Sequence, residues 1–220
     1  MEESPSPQGT AGNVAGIDAR TCLEGLRSVG TLACATRSPD GAPRVRFLSG
    51  LHFEPDAVYI LASNGMPFSR HLLADSRIQL LGELRHGVSI RLTGEAELLP
   101  EEERMRWRLC IFRERPDYRE LYPPLKYDDS LVFVLRKGYF EYLDLVSQPI
   151  RRLYVPFGGG QVRSSGFCIS QDCARCGSCQ VACPQGCIRS GEPFSIVQEN
   201  CIQCGACVRA CPRGAIRPVS

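Results

Sequence analysis

Residues 173–189 read CARCGSCQVACPQGCIR, and residues 201–217 read CIQCGACVRACPRGAIR. The two segments carry Cys, Gly, Ala and Pro at the same places, with an offset of 28 residues. Each follows the pattern Cys-x2-Cys-x2-Cys-x3-Cys-Pro. In this pattern a short loop can place three closely spaced thiols on one face of a metal centre. The repetition indicates duplication of a small binding unit.

Cysteines are concentrated in this part of the chain, since nine of the thirteen lie between Cys173 and Cys211. The total is odd and the N-terminus does not look like an export signal, so metal binding in a reducing cytoplasm is favoured over a disulfide framework. Zinc is the alternative metal, but zinc ribbons favour two Cys-x2-Cys pairs separated by a long spacer. Outside the pattern, Cys22, Cys34 and Cys110 are predicted to be buried core thiols. Cys187 is predicted to be a small packing residue, and the role of Cys168, just upstream of the array, stays open.

The array resembles the bacterial two-cluster ferredoxins, and the resemblance covers residues 168–220. In those proteins the fourth cysteine of each run ligates the other cluster. The resemblance therefore implies two [4Fe–4S] clusters with crossed ligands. Cluster I would take Cys173, Cys176, Cys179 and Cys211. Cluster II would take Cys201, Cys204, Cys207 and Cys183.

Composition excludes several classes of function for this 220-residue chain. The net charge of +2 is too small to predict binding of nucleic acid or of an anionic membrane surface. No run of about 18 apolar residues is present, so we expect no membrane span. The first residues, MEESPSPQGT, lack the basic and apolar regions of a signal peptide. We therefore expect a cytoplasmic protein with a disordered tail over residues 1–14.

The residues before the array predict a mainly β domain over 15–147 and a Gly- and Ser-rich linker over 148–167. Short apolar or alternating runs separated by turn residues predict strands at 31–36, 44–48, 58–62, 78–84, 88–98, 131–135 and 139–145. Strands of this length and spacing favour a barrel or a sandwich. Helices are predicted at 16–29, 69–74 and 100–115, the last with Met105, Leu109 and Phe112 on its apolar face.

The stretch VGTLACATRSPDGAPRVRFLSGLHFEPDAVYILASNGMPFSRHLLADSRIQLLGEL, followed by VSIRLTGEAELL, resembles the pyridoxamine 5'-phosphate oxidase-like, FMN-binding split-barrel family. The resemblance extends over roughly residues 20–145. It implies a mainly β fold with some α-helix, namely a split β-barrel that binds FMN, joined to a small α+β ferredoxin-like domain. It also implies a homodimer with FMN at the subunit interface. Because ligand pockets are commonly lined by apolar and aromatic groups, we further expect a pocket beside the isoalloxazine ring to which the partner subunit contributes the 100–125 region, with Trp107, Phe112 and Tyr118.

The resemblance implies specific flavin contacts. Arg46 matches a basic residue near the FMN phosphate, and Ser69 and Arg70 match a phosphate-binding Ser-Arg pair that opens a helix. The strand beside the isoalloxazine ring is matched by Phe47, Leu48 and Ser49, and the next strand by Ala62 and Ser63. The oxidase has a second basic residue after Ser-Arg, where this chain has His71, and its C-terminal substrate-binding segment is replaced here by linker and ferredoxin. Pyridoxamine phosphate oxidase activity is therefore not expected.

Together the two modules predict an FMN-dependent iron–sulfur oxidoreductase, in which electrons pass between two clusters and FMN to reduce a small substrate. No Rossmann fingerprint is present, so an external protein is expected to donate or accept the electrons. The alternatives are a non-enzymatic electron carrier or redox subunit of a larger complex, and a haem-binding or haem-degrading barrel. The sequence predicts no catalytic residue, because His52, His71 and His86 are isolated.

Overall fold

The computed structural model describes residues 16–121, 130–163 and 165–219. The tail predicted over residues 1–14 lies outside these ranges. Within them, no helix combines the length and the apolar character that a membrane crossing requires.

The first module is mainly β-structure with helices at its margins. Its elements in chain order are α1 (Ala19–Val29), β1 (Leu32–Arg37), β2 (Pro43–Leu48), β3 (Leu51–Glu54), β4 (Ala57–Ser63), α2 (Pro67–Ala74), β5 (Arg77–Arg85), β6 (Val88–Glu95), β7 (Glu97–Leu98), α3 (Glu101–Glu114), α4 (Pro116–Leu121), β8 (Ser130–Leu135), β9 (Gly138–Asp144) and β10 (Arg151–Phe157). All the predicted strands are confirmed, although the one predicted over 88–98 is divided into β6 and β7.

These strands form two antiparallel sheets. Among the described residues, one sheet has the order β10-β9-β6-β5-β1-β2 and the other the order β3-β4-β8-β7. Strand β6 shows why the two sheets pack together. Its residues Val88, Ile90 and Leu92 alternate with less buried residues, so one face of the strand is apolar and buried in the core. Ile90 and Leu92 join Leu26 of α1 and Phe133 of β8 in one apolar cluster. Full burial of side chains of this size stabilises the fold by about 1.5–3 kcal/mol each.

The predicted linker over residues 148–167 is wrong for part of its length. Arg151–Phe157 form β10, which pairs along its whole length with β9, from Arg151 opposite Asp144 to Phe157 opposite Gly138. Leu153 and Phe157 are buried. Pro156 is accommodated because β10 lies at the edge of the sheet, where a residue that lacks an N–H need not donate to a second neighbour.

The C-terminal module is small and its two halves have similar elements. These are β11 (Gly166–Ile169), α5 (Ser178–Ala182), β12 (Ile188–Arg189), β13 (Ser195–Ile196), a 3₁₀ turn (Gln198–Asn200), α6 (Ala206–Ala210) and β14 (Ile216–Val219). Strand β11 pairs with β14, and β12 pairs with β13. In this module, Ile188, Phe194 and Ile216 form a separate apolar cluster with Cys179 and Cys207.

The two modules are in contact along β10 and the residue before it. The side chain of Asn200 donates a hydrogen bond to the carbonyl of Ile150 (2.8 Å), and the N–H of Ile150 donates to the side-chain oxygen of Gln185 (3.3 Å). Arg152 donates to the carbonyl of Cys201 (3.5 Å). The ferredoxin-like module is therefore held at the β10 edge of the barrel sheet.

Candidate functional site

The two cysteine repeats adopt the same backbone conformation. Gly177 and Gly205 cap the N-termini of α5 and α6 in the left-handed region, with φ of 79° and 71°. Two residues before each glycine, Arg175 and Gln203 also have positive φ, 57° and 58°, which is uncommon for residues with a Cβ. The chain therefore makes the same tight loop twice, and each loop turns three thiols toward its inner side.

The eight cysteines of the repeats fall into two groups around two small cavities. One cavity is lined by Cys173, Cys176, Cys179 and Cys211. The other is lined by Cys201, Cys204, Cys207 and Cys183, together with Cys187. In each group the fourth thiol comes from the opposite repeat, so the structure brings together the same crossed sets that the sequence predicts.

The thiols of each group surround a space rather than converge on one point. Among the residues that the structure describes, no three His, Cys, Asp or Glu side chains are close enough to share a single metal ion. Cys176 and Cys204 are exposed at the surface, whereas Cys179 and Cys207 are buried. Each set of four thiols lines one cavity, which is the arrangement that a cubane with four separated iron atoms requires.

The environment of the thiols differs from one ligand position to another. Burial raises the pKa of Cys179 and of Cys207, whereas hydrogen bonds from Ser178 lower the pKa of Cys176. The sulfurs of Cys201 and Cys211 accept backbone N–H groups at 3.3 Å. Because a metal ligand must be a thiolate, cluster binding in the buried positions displaces protons.

Cys183 and Cys187 form a close pair of thiols. Their sulfur atoms are 3.4 Å apart, and Cys187 is buried beside the second cavity. Cys168, in contrast, is exposed on β11 and lines neither cavity. Cys22 and Cys34 lie in the barrel core, where burial raises the pKa of each to about 12. The core role predicted for these two thiols agrees with their burial.

A cluster of basic residues lies around α2 and β2 of the barrel. The guanidinium of Arg46 stacks on the ring of Phe68 (4.7 Å to the centroid), and its Nη2 is 3.4 Å from Nδ1 of His71. Its Nε is buried and has no hydrogen-bond partner. Burial lowers the pKa of His71, and the positive charges of Arg46, Arg44 and Arg70 lower it further. The neutral imidazole also contacts Thr36 Oγ1 (3.2 Å).

The other residues predicted to bind flavin are placed in different environments. Ser69 is fully buried and its hydroxyl donates to the carbonyl of Ser63, whereas Arg70 is exposed and donates to the carbonyl of Gly65 (3.1 Å). The hydroxyl of Ser49 is 2.9 Å from that of Tyr118. Two of the predicted residues, Leu48 and Ala62, pack their side chains in the core, so only their backbone is available to a ligand.

Phe47 is the predicted flavin residue that exposes a large apolar side chain. It lies on the edge strand β2, with 80% of its surface exposed, and Val45 on the same face of the strand is 72% exposed.

Two of the aromatic residues expected to line a pocket of the partner subunit are not exposed. Trp107 and Phe112 are buried in their own chain, where Trp107 stacks on Tyr59 (3.7 Å between centroids). That expectation is therefore wrong for these two residues.

A separate groove of about 640 Å³ lies across β1, β5 and β6 and the turn before β9. Its lining contains five basic side chains: Arg37, Arg77, Arg136, Lys137 and Arg163. Glu95 and Glu97 are its acidic residues. None of the eight residues predicted to bind flavin lines this groove. No motif in the sequence indicated a groove at this place.

Two models of 4Fe–4S binding domains match the C-terminal region, one over residues 170–186 and one over residues 194–217. The first match contains the four cysteines Cys173, Cys176, Cys179 and Cys183, and the second contains the whole second repeat. The C-terminal module is a ferredoxin-like 4Fe–4S region. A search of curated protein sequences found no match to this chain.

Solved structures that resemble this chain include a NimC/NimA family protein of Clostridium acetobutylicum, with a TM-score of 0.50 and 22% identity over 60% of this chain and 89% of that one. A pyridoxamine 5'-phosphate oxidase-related, FMN-binding protein of Nostoc punctiforme has a TM-score of 0.49 and 14% identity, over 60% and 86% of the two chains. The first module has a mainly β split-barrel fold with helices at its margins. At such low identity the likeness shows the fold alone.

Proposed function

We propose that this chain is an iron–sulfur flavoprotein oxidoreductase that reduces a small substrate, with an external protein as electron donor. Two [4Fe–4S] clusters would carry single electrons, and FMN would combine them for a two-electron reaction when bound. The observation that carries the proposal is the sorting of eight cysteines into two crossed sets beside the contact with the barrel.

The second cysteine set is the one next to the barrel. Gln185 and Cys201 both line its cavity, and both accept hydrogen bonds from the β10 segment, Gln185 from the N–H of Ile150 and Cys201 from Arg152. The lining of the other cavity includes neither of them. Cluster II would therefore be the inner centre, and cluster I would receive electrons from the external donor.

The residues around Arg46 fit the phosphate of FMN. Arg46 has a buried Nε without a partner, and the exposed Arg70 and the adjacent Arg44 add positive charge. A phosphate could accept hydrogen bonds from these guanidinium groups, and it would relieve their mutual repulsion. Ser69 serves a different role in this chain, since its hydroxyl fixes the start of α2 to Ser63.

The exposed face of β2 fits an apolar ligand or a second subunit. Phe47 and Val45 expose large apolar side chains at the sheet edge, and such patches mark surfaces that bind ligands or other proteins. We propose that a homodimer covers this face and encloses the flavin ring there, and that the protein acts in the cytoplasm.

The alternatives differ in what they require of the barrel. An electron carrier or a redox subunit needs no substrate cavity beside the flavin. A haem-binding barrel needs a histidine inside it that is free to bind iron, but His52 is 2.8 Å from Glu54 and 3.1 Å from Glu114, and His71 contacts Thr36 and Arg46. The third histidine, His86, is exposed in the turn between β5 and β6. The haem alternative is therefore the least supported.

Anaerobic stopped-flow measurements test the proposal. The protein is reduced chemically, and reoxidation of the flavin is followed with a panel of small oxidised organic compounds. We expect turnover with at least one compound, which is lost in Cys183→Ser and greatly reduced in Arg70→Ala. If only protein acceptors reoxidise the flavin, the chain is a carrier and not an enzyme.

A further inference from the structure

The two repeats differ by one thiol close to their clusters. The first repeat has Cys187 four residues after its last cysteine ligand, Cys183, and the second repeat has Ala215 four residues after Cys211. Both side chains are almost fully buried, with 3% and 1% exposure. The duplicated module therefore provides its own internal comparison for the effect of this thiol.

The position of Cys187 brings it against the ligands of cluster II. Its sulfur is 3.4 Å from that of Cys183, within the distance of a hydrogen bond between sulfur atoms, and it also interacts with the side chain of Cys201. At the equivalent place in the second repeat, the backbone N–H of Ala215 donates to Cys211 (3.3 Å), and its methyl group has no hydrogen to donate to sulfur.

We propose that the Cys187 thiol donates a hydrogen bond to the sulfur of Cys183 and thereby raises the reduction potential of cluster II above that of cluster I. The inference rests on the crossed ligand sets of the proposed function. Four other thiols already supply one ligand for each iron of cluster II, so Cys187 is not needed as a ligand. Its side chain is buried and its sulfur lies within hydrogen-bond distance of the ligand sulfur, so the S–H can point at Cys183.

The direction of the effect follows from charge. Reduction adds one negative charge to the cluster and its ligands, and a hydrogen bond to a ligand sulfur stabilises the more negative state. Cluster II, which borders the barrel, would therefore be reduced more easily than cluster I. Cys187 would act as a positioning residue that draws electrons toward the barrel.

Potentiometric titration of the full-length protein, followed by EPR, tests this role. The two signals are first assigned with Cys176→Ser for cluster I and Cys204→Ser for cluster II. We expect Cys187→Ala to lower the reduction equilibrium constant of cluster II about tenfold, which for a one-electron couple is about 59 mV, and to leave cluster I unchanged. Cys187→Ser keeps a donor and should retain most of the potential.

The reciprocal variant Ala215→Cys places a thiol beside Cys211 and should raise the potential of cluster I. Unchanged potentials in Cys187→Ala would overturn the inference while the ligand sets stand. Loss of the cluster II signal in both Cys187→Ala and Cys187→Ser would identify Cys187 as a ligand and also overturn it. Loss of the cluster I signal rather than the cluster II signal in Cys183→Ser would instead refute the crossed ligand sets themselves.

Discussion

Arg46 is the residue on which the flavin proposal chiefly depends. Its guanidinium is held by Phe68 on one side and faces His71, and its Nε has no partner. A buried donor without an acceptor costs about 1–3 kcal/mol, so a bound anion would recover stability there. The sequence predicted Arg46 and Arg70, but it could not show that Ser69 is fully buried, because burial depends on how α2 packs.

Replacement of Arg46 or Arg70 by Ala should weaken FMN binding about ten- to a hundredfold. Each guanidinium is expected to make a charge-assisted hydrogen bond worth roughly 1.5–3 kcal/mol before compensation. Fluorescence titration with FMN measures the affinity, and the iron content should not change. Arg20→Ala removes the same charge from the exposed face of α1 and serves as the control. Wild-type affinity in both the Arg46 and the Arg70 variant would refute these flavin contacts.

His71 should make the flavin-free protein sensitive to acid. Burial and neighbouring arginines lower its pKa in the folded state below the ordinary value of 6.5. Between that lowered pKa and 6.5 the unfolded chain binds more protons than the folded one, so stability falls as the pH falls through this window. His71→Gln should lose less stability than wild type between pH 7.5 and pH 5.5 in thermal unfolding. Equal losses in the two proteins would show that His71 does not contribute.

Individual elements show why the fold could be predicted only in part. The alternation in β6 placed Val88, Ile90 and Leu92 on one buried face, as the structure confirms. Strand β10 was not predicted because the Gly-rich residues after it suggested a linker. It forms through its pairing with β9, a tertiary contact that a local sequence pattern does not show. In β10 the pattern RRLYVPF contains Pro and two arginines, which local propensity does not favour in a strand.

Helix α3 shows a different limit of sequence patterns. Met105, Leu109 and Phe112 were expected to form its buried face, but Met105 and Leu109 are 42% and 51% exposed. The face that packs against the sheet instead contains Trp107 and Ile111 together with Phe112. Both sets have helical spacing, so the choice between them is made by tertiary partners, above all the stacking of Trp107 on Tyr59.

Arg152 should strengthen the contact between β10 and the cluster module, beside the two hydrogen bonds made by Ile150. Arg152→Ala removes both the ion pair with Glu141 (3.3 Å) and the bond to the carbonyl of Cys201 (3.5 Å). We expect faster cleavage between the modules by limited proteolysis and slower flavin reduction, with unchanged iron content. Arg91→Ala is the matched control, because Arg91 lies on β6 and pairs with the same Glu141 (2.7 Å). Identical behaviour of the two variants would show that the contact through Cys201 is unimportant.

At the scale of the whole molecule, the cluster module and the predicted flavin residues lie at different edges of one sheet. The module is bound at β10, and Arg46 and Phe47 lie on β2, five interstrand spacings away. At about 4.8 Å per spacing this path is about 24 Å along the sheet. Only curvature of the sheet or a second subunit can shorten it, which is why electron delivery to the flavin needs a direct test.

The most direct measurement of the central claim is the cofactor content of the protein purified without oxygen. Two cubanes bound by eight thiolates predict about eight iron and eight sulfide per chain, and the barrel predicts about one FMN. EPR of the reduced protein should then show two interacting clusters. About two zinc per chain, with neither iron nor flavin, would contradict the account.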